Sequence, residues 1–203
     1  MKTVFIRSLF ILFFLLCVVT TKSYLDQSQG QQQSWQQKLA PMYQLHRTGK
    51  KEEALSYALV LMKESESFSH LDLLRIEQIH HVGWLNYDLK RYSQALQYLT
   101  KSLSLYKERE RAILKDPSLT HTDPDSGHGV GNELELLGEV YFALKNNSTA
   151  LNYFKEAELY YGKSQPGSQT HISTIKWQAA VYKSMGMPRE ADAKLKQIAA
   201  KSF

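Results

Sequence analysis

The chain of 203 residues is poor in cysteine, in proline and in long apolar runs. Cys17 is its only cysteine, so no intramolecular disulfide framework exists. One strongly apolar stretch occurs, near the N-terminus, which excludes a polytopic membrane protein. No block of lysine and arginine appears further along, and the basic balance is mostly local. Of the net charge of +5, Lys2, Arg7 and Lys22 lie in the first 23 residues; the rest carries 22 basic and 20 acidic residues, a net of +2. That balance gives no footprint for nucleic acid. What is present is ordinary globular composition, 43% hydrophobic and 22% charged, which excludes a collagen, a coiled-coil rod and a disordered tail and fits one domain.

Residues 1–23 read as a secretory signal peptide. Lys2 and Arg7 precede the apolar run Leu9 to Val19, and Thr21 and Ser23 supply small residues before a cut at Tyr24. Eleven apolar residues fall short of the roughly 20 needed to span a bilayer. An uncleaved N-terminal anchor is the alternative. Leu16 before Cys17 is not the small residue a lipoprotein needs. Cleavage would leave a mature chain without cysteine, hence without a thiolate metal site or a Cys nucleophile. The expected location is outside the cytoplasm, periplasmic or secreted. Residues 24–33 are half Gln and read as a polar linker, too hydrophilic to order themselves.

From 34 to 203 the chain repeats itself. Four stretches begin at Leu39, Ile79, Leu134 and Ile175, each an apolar pattern of helical period, a short polar break and a second such pattern. The second pattern opens near Ala54, Ala95, Ala150 and Ala191, spaced 41, 55 and 41 residues apart. The long interval equals the short one plus 14 residues, placed at Asp116 to Gly129, a run rich in Pro, Gly, Ser and Asp. Gly83 and Gly138 remove a side chain where a neighbouring helix must come close, and the four alanines do the same on the second helices. Ser69-x-x-Asp72 reads as a capping box for a helix ending near Leu89, Ser148 as the cap of the second helix of unit three, and Pro188 as the first turn of the last helix.

This pattern resembles the tetratricopeptide repeats. In unit three, Leu134, Leu137, Gly138 and Tyr141 fit the family's first helix, and Ala150, Phe154 and Ala157 its second. Val82, Gly83, Tyr92, Ala95 and Leu99 match in unit two; Ala179, Tyr182, Gly186, Ala191 and Leu195 match in unit four. Unit one offers Gly49, Ala54 and Ala58, with Pro41 inside its first helix, and the family's closing proline is missing throughout. The 41-residue interval is similar to that of the long-helix, kinesin-light-chain-like subgroup. The resemblance implies an all-α fold, a right-handed superhelical stack of four antiparallel helix pairs, whose first helices line a concave groove.

Carried over from the family, the groove positions are Leu39, Tyr43, His46, His80, Trp84, Tyr87, Glu135, Glu139, Phe142, Lys176, Ala180 and Lys183. The set is aromatic in its first half and charged in its second, which suits a peptide with apolar anchors. Trp84 and Tyr87 fit a packed core equally well. The lysine and asparagine clamp of chaperone-tail binders is absent, since Leu39, Tyr43 and His81 stand at its positions. The implied function is an exported scaffold or adaptor binding a protein or peptide. The alternative is a self-assembling structural component of the cell envelope. No nucleic-acid partner, no cofactor and, after cleavage, no membrane association are expected; the oligomeric state is left open.

Other motifs point away from chemistry. His80 and His81 are adjacent, so on a helix they diverge and form no i,i+4 metal pair. Asp123, Asp125 and Gly127, with His121 and His128 nearby, have part of a calcium-loop spacing but lack the distal glutamate. Gly127, Gly129 and Gly131 fail the dinucleotide spacing, and no phosphate-binding loop or nucleophile elbow exists. Glu135 and Glu139 lie one helical turn apart, which on this pattern reads as a solvated face rather than an acid–base pair. No enzyme is expected. Asn146-Asn147-Ser148 and Asn147-Ser148-Thr149 are overlapping glycosylation sequons, read as a polar turn with a helix cap.

Overall fold

The computed structural model of the chain describes residues 34–117 and 127–200. The expected signal peptide, the linker and the middle of the insert, with His121, Asp123 and Asp125, lie outside them. Helix α1 covers 34–47. It is followed by α2 (Lys51–Glu64), a 3-10 turn (Ser65–Ser67), α3 (Leu73–Asp88), α4 (Tyr92–Lys115), α5 (Gly127–Ala143), α6 (Asn147–Ser164), α7 (Gln169–Ser184) and α8 (Pro188–Ala200). No strand occurs among the described residues. The chain divides into two compact units, Met1–Pro41 and Met42–Phe203. Of the first, only the opening of α1 is described: Trp35 and Leu39, one turn apart, are buried, and the Lys38 ammonium lies 4.8 Å from the centre of the Trp35 ring.

In the second unit each helix from α2 onwards packs on the next in chain order, and α3 also touches α5. The chain has the TPR-like helical-repeat fold. Every first helix ends the same way. Gly49, Lys90, Lys145 and Gly186 take up positive φ, at 81°, 61°, 62° and 74°. The next N–H then reaches back five residues, Lys50 to the carbonyl of Leu45, Arg91 to Asn86, Asn146 to Tyr141 and Met187 to Tyr182, at 2.8–2.9 Å. This closure satisfies carbonyls that the helix end would leave bare and reverses the chain in three residues. The four turns are spaced as the alanines are, so the 41, 55, 41 interval is a repeat of backbone geometry.

The small residues sit where neighbours press. Ala54, Ala95, Ala150 and Ala191 have no exposed surface. A Cβ on Gly83 would lie 2.7 Å from the Leu99 side chain, and one on Gly138 2.7 Å from the Phe154 ring. Large side chains close the gaps: Ile76, Leu99, Leu134, Leu137 and Tyr161 share one buried cluster. Ala150, Phe154 and Val181 form another, against which Trp177 packs. Phe154 and Trp177 stack with ring centres 5.7 Å apart.

Three local expectations need correction. Ser69 does not cap α3; the Asp72 carboxylate accepts from the Leu74 N–H at 2.9 Å, while the Ser69 carbonyl accepts from Asp72 N–H in the turn before. Ser148 does not cap α6; once Lys145 has closed the turn, Asn146 is the residue outside the helix, and its side chain accepts from the Thr149 N–H at 3.2 Å. The insert starts at 116 as expected, after α4 ends at Lys115, but is shorter than 116–129 because α5 begins at Gly127. The extra residues partly lengthen α4, which has 24 residues against 18 in α6. Gly129 and Gly131 are helical despite their propensity: a Cβ on Gly129 would strike the Tyr106 ring and one on Gly131 would meet the Tyr161 ring at 2.6 Å. Pro188 opens α8 as expected.

Candidate functional site

The first helices meet through polar side chains. From residues 42–47 of α1, the Tyr43 hydroxyl is 2.8 Å from His81 Nε2 on α3. His46 Nε2 is 2.7 Å from Asp88 Oδ2, and the Lys51 ammonium is 2.8 Å from the same oxygen. The His46 ring leans on Trp84, centre to centre 4.5 Å. Between α3 and α5, His80 Nδ1 lies 2.6 Å from Glu133 Oε1, and the Tyr87 hydroxyl donates to the Glu139 carboxylate. Between α5 and α7, the hydroxyls of Ser173 and Thr174 donate to the two oxygens of Glu135, both at 2.8 Å.

Burial and these partners set the protonation of the face. Burial acts to lower the pKa of His80, but the Glu133 carboxylate, with Glu77 behind it, outweighs burial and raises it above the ordinary range. Its neighbour His81 is pushed down to about 3, first by burial and then by the charge of His80. Burial also lifts Glu139 to about 7; Glu135 adds to the rise and the Tyr87 hydrogen bond opposes it. Asp88 goes the other way, because hydrogen bonds from Lys51 and His46 outweigh its burial. Burial first, then Glu139, raise the Tyr87 phenol.

The structure brings most of the expected groove residues onto one face, but not as free anchors. Trp84, Tyr87 and Phe142 are half-buried, and Phe142 packs edge-on against Trp177 at 6.0 Å. His46 and His80 are half-buried and bonded to carboxylates. Glu135 and Glu139 are not a solvated pair; both are half-buried and each is held by hydroxyl donors from a different neighbouring helix. Tyr43 keeps 40% of its surface exposed. Lys176 and Lys183 are exposed and make no ion pair among the described residues, and Ala180 is half-buried between them. Leu39 belongs to the first unit and is buried.

Six partners went unforeseen: Lys51, His81, Asp88, Glu133, Ser173 and Thr174. A carboxylate such as Glu133, fully buried within an apolar helix, signals a paired role. Its partner His80 is 53 residues away, an offset that the variable insert hides. Among the described residues no three His, Cys, Asp or Glu side chains converge as metal ligands. None of the described helices is long and apolar enough to cross a membrane.

Comparison with known proteins bears on the fold. No family model matches the chain, and no curated protein sequence matches it. Among solved structures, BtubC (BKLC) from P. vanneervenii superposes with a TM-score of 0.64 at 16% identity, covering 79% of this chain and 61% of that one. The chain thus spans less than two thirds of that structure. TPR-like repeats of a kinesin light chain from Podosopora anserina align at a TM-score of 0.40 and 12% identity, covering 81% of this chain and 92% of that one. MamA from Desulfovibrio magneticus RS-1 aligns at 0.31 and 17% identity, with 81% and 93% covered. The first alignment agrees with the helical-repeat fold; the other two are too loose to add to it.

Proposed function

We propose that the chain is an exported scaffold that binds a peptide or protein on the face of its first helices. One observation carries this reading. Trp84, Tyr87 and Phe142 lie half-exposed along successive first helices, on a face whose polar groups are locked to one another from pair to pair. Such locking lowers the ordering cost of binding, since the surface is shaped before a partner arrives. Half-exposed aromatics are the side chains that dominate protein interfaces. Tyr43 extends the aromatic row at one end, and Lys176 and Lys183 stand at the other to orient an acidic end of the ligand. Export rests on Lys2, Arg7 and the apolar run that ends at Val19.

The test is affinity capture from the exported fraction of the native host, comparing wild type with Trp84→Ala. A partner lost from a variant of unchanged helicity supports the reading. A partner retained by both overturns the groove assignment. Recovery of the chain alone, with concentration-dependent light scattering, favours self-assembly. N-terminal mass analysis of the exported protein tests cleavage before Tyr24.

A further inference from the structure

The four closing turns are equivalent in backbone but not in chemistry. At the position with positive φ, the first and last turns carry Gly49 and Gly186, whereas the middle two carry Lys90 and Lys145. A side chain in that conformation carries a conformational cost that glycine escapes. Nothing inside the protein accounts for the lysines: both are exposed, and neither makes an ion pair among the described residues. Of the other basic residues around the first two turns, Lys50 is paired with Glu53, Lys51 with Asp88 and Arg91 with Glu52, while Arg47 bonds the Gln44 side chain. The two lysines close α3 and α5, which pack together, and the third and fourth turns are tied by Asn147 to Ser184 at 2.9 Å. Along this edge Leu144 is 46% and Met185 42% exposed, and Arg189 projects from the start of α8 without an ion-pair partner. Strained residues that no internal contact explains are a mark of binding sites.

We infer that this turn edge, formed by Lys90, Lys145 and Arg189 around Leu144 and Met185, is a second docking surface, and that it takes an acidic protein segment carrying apolar side chains. Three unpaired cations select carboxylates, and the two exposed apolar side chains offer the contact that a purely electrostatic surface lacks. The surface adjoins the groove face, since the Lys90 and Lys145 N–H groups bond the carbonyls of Tyr87 and Phe142, but none of its five residues is a groove residue, so it stands whether or not the groove reading holds.

A fluorescein-labelled peptide alternating Asp and Glu with Leu is the probe, read by anisotropy on the full-length chain. The decisive variant is Lys90→Gly with Lys145→Gly, which relieves the backbone at both turns, its fold checked by helicity. Affinity is expected to drop about tenfold in this variant while its melting temperature rises, and to weaken with salt in the wild type. Trp84→Ala is expected to bind the peptide as wild type does. No binding, or binding undiminished in the glycine variant, overturns the proposal. So does loss of the peptide from Trp84→Ala alone, which would put it in the groove. Binding to vesicles of phosphatidylcholine and phosphatidylglycerol with no binding to the peptide would assign the edge to a lipid surface and overturn the proposal too.

Discussion

Helices α5 and α6 meet where Gly138 faces the Phe154 ring; helices α3 and α5 meet where His80 faces Glu133. The first contact is set by size. It repeats at Gly83 against Leu99, and a single added carbon has no room at either place. The second is set by hydrogen-bonding groups, and it repeats as Tyr43 with His81, Tyr87 with Glu139 and Ser173 with Glu135. Size complementarity holds the two helices of a pair together and tolerates only small residues at the crossing. Polar complementarity fixes how one pair sits on the next, because a carboxylate slipped by one turn would be buried without a partner. The two kinds of contact therefore fail differently.

The largest effect is expected from Gly138→Leu, which drives a side chain into Phe154. A loss of about 3 kcal/mol or more is expected in urea unfolding, or no folded protein at all. An equal loss from Leu at the exposed Gly162 would show that the crossing is not special, since a Cβ there meets nothing closer than 3.8 Å. Next is Glu133→Leu. It leaves His80 without its acceptor and is expected to cost about 1–3 kcal/mol. Adding His80→Leu should restore much of the loss if polar pairing is what matters; a simple sum of the two losses would argue that Glu133 is only filling space.

A pH series sharpens the comparison further. The carboxyl of Glu139 is raised from 4.5 to about 7 in the folded protein. Between those values the folded state holds a proton that the unfolded state has released. Its contribution to stability is therefore complete below pH 4.5 and lost as pH rises towards 7. Glu139→Gln is expected to remove that decline, seen as a melting temperature that rises more, or falls less, between pH 4.5 and 7 than in the wild type; an unchanged slope would mean that another group carries it. His81, lowered from 6.5 to about 3, gives the opposite trend between those values, since the unfolded chain takes up its proton first, so between pH 4.5 and 6.5 it opposes Glu139. The smallest effect is at the turns. Lys90→Gly and Lys145→Gly should each stabilise by about 0.5–1 kcal/mol, and Gly49→Ala should destabilise by about as much, in thermal melts.

The two kinds of contact also differed in how far they could be read in advance. Gly83, Gly138 and the four alanines stood out because small residues recur at fixed intervals within apolar helices, so the helix pairs and the fold were legible. Gly129 and Gly131 were not. They follow a stretch rich in Pro, Asp and Ser, where glycine ordinarily means a loop, and only the rings of Tyr106 and Tyr161 explain why the helix keeps them. The caps went to Asp72 and Asn146 because the helix start is set by the turn before it, which one-residue preferences do not register. On the polar face the residues were found but their partners were not. Glu135 and Glu139 look alike one turn apart, yet they point to different neighbours, Thr174 on one side and Tyr87 on the other.

The long interval between Lys90 and Lys145 has a practical consequence. Its additional residues enter between one closing turn and the next without altering either turn. The helices on each side form complete pairs, α3 with α4 and α5 with α6. A chain divided between Lys115 and Gly127 would thus yield two fragments whose pairs are each whole. What would rejoin them is a coded seam: Tyr106 against Gly129, His80 with Glu133 and Tyr87 with Glu139. The molecule holds, in that seam, the makings of a complementing two-part reporter, with the size and charge of a few side chains as its key.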